Sequence, residues 1–579
     1  MKKFYFLLPL IVSCSEAKKY QDFDFTTTFE TSKGFETATY PEVIDYYKAL
    51  AETYKQITID SLGNTDSGEP LHYVTYNPNS SGNDYKELRK ENAALLINNG
   101  IHPGESDGID ATMMLFRDLV DGIIKAPENV VIVTIPVYNV GGSLNRNTGT
   151  RTNQNGPLSY GFRGNAQNFD LNRDFIKSDT KNTEAFAQIF HHVKPDVFID
   201  NHVSNGADYQ YTLTHLFTQH NKLSGPQGAY LQDSLIPKLE GNLISKNWDI
   251  TPYVNVFNRV PETGFSQFMD YPRYSTGYTT LFNTLGMMVE THMLKPYKMR
   301  VDGTYELMKS MIEIVDKNSS KIKTLKKEQL TFWKSKKYYP TKWELDTTKF
   351  SILNFKGYEG TYQESKLTGH QRLKYDRSKP FTKPVEYSNY FKATDSIEIP
   401  KAYIIPRGWH QIIGRLKDNS IDMRQFKRDT VIKIQQYRIE DYKSRTNAYE
   451  GHFPHYNTAV SKKELSIEIK KGDYYIPTSQ FGMRYLIETL EPMTMDSFFN
   501  WNFFDTILQQ KEGFSPYVWE DRALELLRAN PKLQIRFNTK KTYDKAFAKN
   551  WYAQLNWLHQ QSKNYEEVHM RYPVYRVMK

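Results

Sequence analysis

Apolar and polar positions in the N-terminal half of the chain follow two patterns, one helical and one typical of strands. Tyr40–Tyr54 and Asp107–Ile124 carry apolar residues at steps of three and four, which predicts two amphipathic helices. Short strands are predicted around Gln56–Asp60 and Leu71–Tyr76. The chain therefore begins as alternating helices and strands.

Continuous apolar runs predict strands that are buried on both faces of a sheet. The runs are Ala93–Ile97, Val130–Val137, Val197–Ile199 and Leu285–Val289. Such runs are typical of parallel sheets, because helices cover both faces. Strands that alternate with helices predict an α/β domain with a largely parallel central sheet.

The pattern changes beyond the polar stretch Lys317–Thr347. Strands are predicted at Ala402–Pro406 and Val431–Tyr442, on either side of a short helix, and a hairpin is predicted over Leu465–Ile476. Helices are predicted at Phe481–Leu490, Glu520–Ala529 and Tyr543–His559. This mixture predicts a separate C-terminal α+β domain.

Chemically active side chains follow the apolar runs. His102 and Glu105 follow the first run, Asn139 follows the second, His202 the third and Glu290 the fourth. Open α/β sheets bind ligands in the crevice outside the carboxyl ends of their strands. We therefore expect these groups, although distant in sequence, to converge at one edge of the sheet.

The turn His102-Pro103-Gly104-Glu105 brings together an imidazole and a carboxylate. These are ligand types of a catalytic zinc site, which has three protein ligands and one open position. A buried structural histidine is an equal alternative for His202 taken alone, and His191 and His192 compete as the third ligand. Glu290 could alternatively end a strand or cap a helix.

Composition excludes some classes of protein. The 579 residues are 39% hydrophobic and 14% aromatic, with 41 tyrosines and 33 phenylalanines, which argues against disorder and exceeds one compact domain. The net charge is +9 and the pI is about 8.9, but the basic residues are spread along the chain. Without a basic stripe interleaved with aromatic residues, we expect no nucleic-acid partner.

The N-terminus predicts export and lipid attachment. Met1-Lys2-Lys3 precedes a short apolar run and Leu10-Ile11-Val12-Ser13-Cys14, an order that resembles a bacterial lipobox. Cys14 is the only cysteine, so it is the expected lipidation site and no thiol remains for disulfides or metal. We expect an exported lipoprotein of a bacterial cell envelope, held to the membrane through its lipid anchor alone.

The motifs together resemble the zinc carboxypeptidases, or metallocarboxypeptidases, over residues 40–320. The resemblance rests on His102–Glu105, Phe169–Phe175, Asp200–His202 and Val289–His292, in the order that the family has them. It implies a mixed central sheet with helices on both faces, one Zn²⁺ per chain and hydrolysis of the C-terminal bond of a peptide.

Site roles follow from that resemblance, position by position. It implies that His102, Glu105 and His202 are zinc ligands, and that Glu290 is the general base for the zinc-bound water that attacks the carbonyl. Arg163 resembles the cation that faces the oxyanion, with Arg146 and Arg151 as alternatives.

The same resemblance suggests how substrate is held. Asn172 and Arg173 match the pair that binds the free C-terminal carboxylate of the peptide. Tyr271, Tyr274 and Tyr278 all precede Glu290, and spacing does not choose which of them closes over substrate. Asn201 separates Asp200 from His202, which argues against Asp200 as the group that orients this histidine.

We therefore divide the chain into a signal peptide, a polar lead, a catalytic domain, a linker region and an accessory domain. Their bounds are 1–13, 14–39, 40–320, 321–395 and 396–579. The expected function is a zinc metallocarboxypeptidase. The alternatives are a cell-wall peptide amidase that uses the same zinc site, and a lipoprotein that binds peptide or glycan without catalysis. The sequence carries no signal for an oligomeric state.

Overall fold

The computed structural model describes residue 20, residues 22–79 and residues 84–578. The predictions for the signal peptide and for Cys14 lie outside the described residues. These described residues divide into two compact units, the first of those up to residue 336 with 342–396 and 418–420, the second of residues 337–341, 397–417 and 421–578. No helix in the described part of the chain is long and apolar enough to cross a membrane.

Strands and helices alternate through the first unit, as the apolar pattern predicts. The strands are β1 (Ile57–Asn64), β2 (Pro70–Tyr76), β3 (Ala93–Asn98), β4 (Val130–Ile135), β5 (Val197–Ser204), β6 (Leu213–Phe217), β7 (Ile250–Pro252), β8 (Phe265–Ser266), β9 (Leu285–His292), β11 (Ser351–Glu364) and β12 (Gln371–Ser388). Two further strands, β10 (Tyr338–Leu345) and β13 (Phe391–Glu398), have residues in both units. The helices are α1 (Thr28–Thr31), α2 (Tyr40–Thr53), α3 (Tyr85–Glu91), α4 (Asp107–Val120), α5 (Val140–Leu144), α6 (Lys181–Val193), α7 (His220–Leu223), α8 (Gly225–Tyr230), α9 (Ile236–Ser245), α10 (Ser275–Thr280), α11 (Tyr297–Lys317) and α12 (Ser319–Ser335).

The central sheet is mixed, with a parallel middle. Its eight strands have the order β1-β2-β4-β3-β5-β9-β6-β7. The neighbours β4, β3, β5 and β9 are parallel to one another. The pairs β1–β2, β2–β4 and β9–β6 are antiparallel, and β7 is parallel to β6. β3 and β4 are buried along their whole length, and α2, α4 and α11 contribute apolar residues to the core around them. The predicted α/β fold class is confirmed.

Two inner strands extend further than their apolar runs. β5 continues through His202 to Ser204, and β9 continues through Glu290 to His292. The sequence placed both side chains just beyond their strands, because polar residues end the apolar runs. These polar residues stay in the strands because the β5–β9 pairing holds them in register.

Residues 321–395 differ from the expected linker. They contain most of α12 and the long β11–β12 hairpin, and residues 342–396 belong to the first unit. Phe355 and Val385 of the hairpin pack with Tyr209 and Tyr211 in one apolar cluster. The many exposed residues of β11 and β12 make the segment resemble a polar linker, although Leu353, Phe355 and Val385 face this cluster.

The second unit combines a six-stranded sheet with helices. Its strands are β14 (Ala402–Ile405), β15 (Arg424–Gln425), β16 (Thr430–Ser444), β17 (His455–Ile469), β18 (Tyr474–Pro477) and β19 (Tyr575–Val577), in the order β15-β18-β14-β19-β16-β17. Its helices are α13 (His410–Asp418), α14 (Met483–Leu490), α15 (Pro516–Ala529), α16 (Pro531–Tyr543), α17 (Lys545–Lys549) and α18 (Trp551–Gln560).

Two details of this unit differ from the sequence prediction. β17 pairs with β16, and β18 pairs with β14 and β15, so the hairpin predicted over Leu465–Ile476 is wrong. The single helix predicted over Tyr543–His559 is interrupted at Asp544 and Asn550. Each of these side chains accepts a hydrogen bond from the first turn of a new helix, and such capping residues favour helix starts.

Candidate active site

The register of the parallel strands brings the site residues together. Asn98 of β3 lies opposite Asp200 of β5, and His202 of β5 lies opposite Glu290 of β9. Successive side chains of a strand point to opposite faces, so Asp200 and His202 share one face of the sheet. The expected convergence at the carboxyl edge of the sheet therefore holds for His202 and Glu290.

The turn after β3 supplies the other two candidate ligands. Gly100 has a φ of +65°, a conformation that favours glycine, and starts the turn that leads to His102. At Gly104, an added Cβ would lie 2.5 Å from the Cδ of Arg151 and 3.1 Å from the carbonyl of Gly161. The absence of a side chain here lets the arginine loop approach the turn closely.

His102, Glu105 and His202 form a buried cluster with metal-ligand geometry. The Nδ1 atom of His102 lies 3.2 Å from Oε1 of Glu105, and Nδ1 of His202 lies 3.2 Å from Oε2 of the same carboxylate. Candidate ligand atoms of the three residues lie within 4.8 Å of one another. Two atoms that bind one zinc ion at about 2.0–2.1 Å lie roughly 3.3 Å apart, so the spacing suits one ion.

A buried polar atom in this cluster supports the fit to a metal. Nδ1 of His102 is buried and makes no well-aligned hydrogen bond among the described residues, although the Glu105 carboxylate lies 3.2 Å away. An unpartnered buried polar atom is costly, and a bound cation would remove that cost. The donor set of two imidazoles and one carboxylate is the His₂Glu type that suits zinc.

Two aspartates fix the outer nitrogen atoms of the histidines. Nε2 of His102 lies 2.9 Å from Oδ1 of Asp170, and Nε2 of His202 lies 2.9 Å from Oδ2 of Asp200. These contacts favour the tautomer in which Nε2 donates to the carboxylate and Nδ1 faces the cluster. The expectation that Asn201 prevents Asp200 from orienting His202 is wrong, because residues two apart in β5 lie on the same face.

Asp200 is itself fully held in place. Its Oδ1 accepts a hydrogen bond of 2.9 Å from the amide of Asn98, and its Oδ2 accepts one of 2.5 Å from the hydroxyl of Ser275. The side chain has no exposed surface. These hydrogen bonds hold the carboxylate of Asp200 in the position from which it contacts His202.

The charges in the cluster oppose the effect of burial on each ligand. Burial alone would raise the pKa of Glu105, but Arg151 and the two histidines hold it well below its usual value. Burial would lower the pKa of His202, but Asp200 raises it well above its usual value. A divalent cation at the cluster would compete with the proton on each imidazole, because a metal binds the neutral ring.

Glu290 stands beside the cluster without being one of its ligands. Its carboxyl has a pKa raised to about 7, chiefly by burial, while the charges of Glu105 and Asp200 act in the same direction and that of His202 opposes them. Its backbone carbonyl accepts a hydrogen bond of 2.7 Å from the hydroxyl of Thr214. A carboxyl that titrates near neutral pH next to a metal site suits proton transfer.

Three arginines were candidates for the cation of the site, and they differ in position. Nη2 of Arg151 lies 2.9 Å from Oε1 of Glu105, and Nη1 of Arg163 lies 3.7 Å from the same atom. Arg163 also donates from Nε and Nη2 to Oδ2 of Asp170, at 3.0 and 2.8 Å. Arg146 instead donates to backbone carbonyls of Thr37, Ala38 and Ser159, which is a structural role.

Asn172 and Arg173 follow Asp170 on one short helical turn. The backbone amide of Asn172 donates to Asp170, and its side-chain oxygen accepts from the amide of Ser275 at 3.4 Å. The guanidinium of Arg173 lies 4.6 Å from the ring centroid of Tyr274. The structure thus brings this pair next to the carboxylate that holds His102.

The tyrosines that the sequence could not distinguish have different surroundings. Tyr278 is buried and packs against Phe175 and Phe190, so its ring belongs to the core. Tyr274 contacts Arg173, which leaves it closest to the candidate substrate pair. The sequence did not single out Tyr253. Burial raises the pKa of its hydroxyl, and the charges of Glu290 and Glu105 raise it further, which places Tyr253 near the site. Its segment carried no motif that could have signalled this position.

The rival histidines lie elsewhere in the first unit. His191 is buried, its Nε2 lies 3.3 Å from the hydroxyl of Tyr278, and burial lowers its pKa to about 3. His192 packs edge-on against Tyr73 and Tyr85. Neither belongs to the only group of potential metal ligands found among the described residues.

Comparisons with known proteins find similarity to carboxypeptidases. Residues 43–207 match the family model of zinc carboxypeptidases. Over 509 residues the chain is 22% identical to "Carboxypeptidase 2" of Trichophyton rubrum, covering 82% of this chain and 86% of the relative. It is 21% identical to "Carboxypeptidase 2" of Trichophyton tonsurans over 507 residues, with the same coverage. A solved metallo-carboxypeptidase from Burkholderia cenocepacia aligns with a TM-score of 0.37 and 16% identity, over 49% of this chain and 70% of that chain.

The family match, the curated relatives and the His-Glu-His cluster support a metallopeptidase of the hydrolase class. Within that class, the chain is similar to the zinc carboxypeptidases over residues 43–207 and to relatives named carboxypeptidase. Zinc is the cofactor of this family, and His102, Glu105 and His202 are the residues that could hold one ion.

Proposed function

We propose that the protein removes the C-terminal residue of a peptide that has a free carboxylate, with Glu290 as general base. The observation that carries this proposal is the position of Glu290, which lies opposite His202 in the β5–β9 ladder and beside the candidate zinc ligands without joining them. Zinc bound at the cluster would polarise the scissile carbonyl and acidify a water molecule.

Glu290 takes the proton of the attacking water and passes it to the leaving amine. A pKa raised to about 7 by burial would make the group able both to accept and to release a proton near neutral pH, and a nearby cation would lower that pKa. Glu105 cannot serve in this way, because Arg151 and the histidines hold its pKa well below the usual value.

Arginine side chains stabilise the negative charges of substrate and reaction. Arg163 is partly exposed, and Asp170 fixes its guanidinium through two hydrogen bonds, so it can face the developing oxyanion. Arg151 is the alternative, but its ion pair with Glu105 directs it toward the ligand cluster. Asn172 and Arg173 bind the terminal carboxylate, for which an arginine fork is well suited.

The test replaces Glu290 with glutamine, which keeps the size of the side chain and removes the base. We expect Glu290→Gln to retain about one zinc per chain and to lose at least ~100-fold in kcat, the range that general-base catalysis contributes. Asp302→Asn is the control, because Asp302 pairs with Lys298 on an exposed helix face. Hydrolysis at the parent rate would remove Glu290 from the base role.

A second pair of substrates tests how the peptide is held. The same N-blocked dipeptide is offered with a free C-terminal carboxylate and as its C-terminal amide. We expect hydrolysis of the acid only, and we expect Arg173→Gln to raise KM for the acid. Equal cleavage of acid and amide would contradict the carboxylate role of Asn172 and Arg173.

We also propose that the protein is exported and anchored through a lipid on Cys14. Support comes from the order of the basic start, the short apolar run and Leu10–Cys14. Removal of Lys2 and Lys3 with the signal would change the net charge from +9 to +7. Incorporation of labelled fatty acid that Cys14→Ser abolishes is the expected result; equal labelling of the variant would exclude the anchor.

A further inference from the structure

The second unit carries a groove that has no part in the candidate active site. Its volume is about 690 Å³, and it lies between the β16–β17 ladder and the segment 560–571. Grooves of roughly 300–1,000 Å³ are the usual size of ligand sites. Its polar lining includes Gln436, Arg438, Lys463, Gln561 and Arg571.

Arg438 and Arg571 face each other in this groove. They are partners in an isolated antiparallel bridge. The amide of Ile439 donates to the carbonyl of Met570 at 2.8 Å, and the amide of Tyr572 donates to that of Tyr437 at 3.0 Å. Hydrogen bonds that flank a pair in this way define a non-hydrogen-bonded antiparallel pair, in which opposite side chains lie closer together than in a hydrogen-bonded pair. The two cationic side chains therefore stand side by side.

This pair of charges has two acidic neighbours in the groove lining, Glu440 and Glu567, but no carboxylate among the described residues pairs with it directly. Arg438 donates to the hydroxyl of Tyr565 at 3.2 Å, which orients its guanidinium but leaves its charge uncompensated. Neither arginine forms an ion pair within the part of the chain that the structure describes. Like charges directly opposite each other destabilise a sheet, so this arrangement of two arginines lowers the stability of the fold.

We propose that the groove binds an acidic peptide, with one carboxylate held between Arg438 and Arg571. A carboxylate offers two oxygens to the N–H groups of guanidinium forks, which suits two arginines side by side. The side-chain amides of Gln436 and Gln561 can both donate to and accept from a peptide backbone.

Acidic residues in the lining select against ligands with dense negative charge. Glu440 and Glu567 also line the groove. They would repel a polyanion such as a sulfated oligosaccharide, whereas a peptide with a single Asp or Glu can place its carboxylate between the arginines. The site lies within the second unit, so this proposal is independent of the proposed peptidase activity.

Fluorescence anisotropy on the zinc-loaded protein tests the proposal. The probe is a fluorescein-labelled octapeptide of glycine and serine with one central glutamate and an amidated C-terminus, so that the candidate active site lacks its carboxylate. We expect binding that the matching glutamine peptide does not show. Arg438→Gln with Arg571→Gln should weaken binding at least ~10-fold, the effect of losing hydrogen bonds to a charged group.

Arg528→Gln is the matched control, because Arg528 is exposed on α15 and does not line the groove. The double variant should keep or raise the melting temperature, since it removes a like-charge pair, and this separates a binding role from a structural one. Equal binding of the glutamate and glutamine peptides would overturn the proposal. So would binding that survives the double variant, or an arginine-dependent preference for a heparin oligosaccharide over the peptide.

Discussion

Asp170 contacts both a candidate zinc ligand and the candidate oxyanion cation. Its replacement should therefore lower both the affinity for zinc and kcat/KM by measurable amounts. One oxygen lies 2.9 Å from Nε2 of His102, and the other accepts both hydrogen bonds of Arg163. In Asp170→Asn the amide oxygen can still accept from His102, but without charge. The new amide NH₂ group then faces Arg163 as a donor and cannot accept.

The expected magnitude follows from these contacts. Hydrogen bonds to charged groups contribute about 1.5–3 kcal/mol and neutral ones about 0.5–1.5 kcal/mol. The loss at His102 is therefore about 1–1.5 kcal/mol, which corresponds to a roughly 5–15-fold weaker affinity for zinc. That range overlaps the ~10–100-fold effect usual for groups that orient a metal ligand.

The assay measures zinc affinity by competition with a chromophoric chelator, and kcat/KM with zinc in excess. We expect about tenfold weaker zinc binding. At saturating zinc, kcat/KM should still be lower, because Arg163 has lost its partner. Arg163→Gln separates the effects: it should lower kcat/KM and leave zinc affinity unchanged. Zinc affinity of Asp170→Asn within twofold of the parent would refute the role of Asp170 in orienting His102.

Three further predictions follow from the same contacts. Removal of zinc by a chelator should lower the melting temperature in calorimetry, since zinc at 100 times its Kd stabilises the folded state by about 2.7 kcal/mol. An unchanged melting temperature would argue against a metal at the cluster. Gly104→Ala should reduce activity, because its Cβ would lie 2.5 Å from Arg151 and displace the partner of Glu105; parent kcat/KM would contradict this. Lys177→Met should cost about 3–5 kcal/mol in denaturant unfolding, because it leaves the buried Asp174 without its ion pair; a loss below 1 kcal/mol would show that the pair is dispensable.

The sequence predicted the parts of the fold whose signals are local. Ala93–Ile97 and Asp107–Ile124 correspond to β3 and α4, because apolar periodicity directly reflects burial. It missed the β11–β12 hairpin, since two long strands with one exposed face read as polar sequence. It joined α17 and α18, because single capping residues interrupt a helix without changing its apolar content.

The sequence named residues that the structure brings together at the candidate site, but it did not predict the contacts that hold them in place. His102, Glu105, His202 and Glu290 could be named because each ends an apolar run or a turn. The partnership of Asp170 with His102 was not named, although this aspartate lies within a motif that carries the resemblance. Contacts between positions 68 residues apart depend on the course of the chain, which local pattern does not encode.

The parallel register of the inner strands has a consequence for how the protein matures. His202 lies opposite Glu290 only if β5 and β9 pair in one register, and a shift by one residue would turn one of the two side chains to the other face. Glu105 and His202 are 97 residues apart in the chain, so bringing them together requires the closure of a long loop, which slows the formation of such contacts. Zinc uptake would therefore report the completion of folding, and a nascent or misregistered chain would stay without metal and inactive until its central strands had aligned.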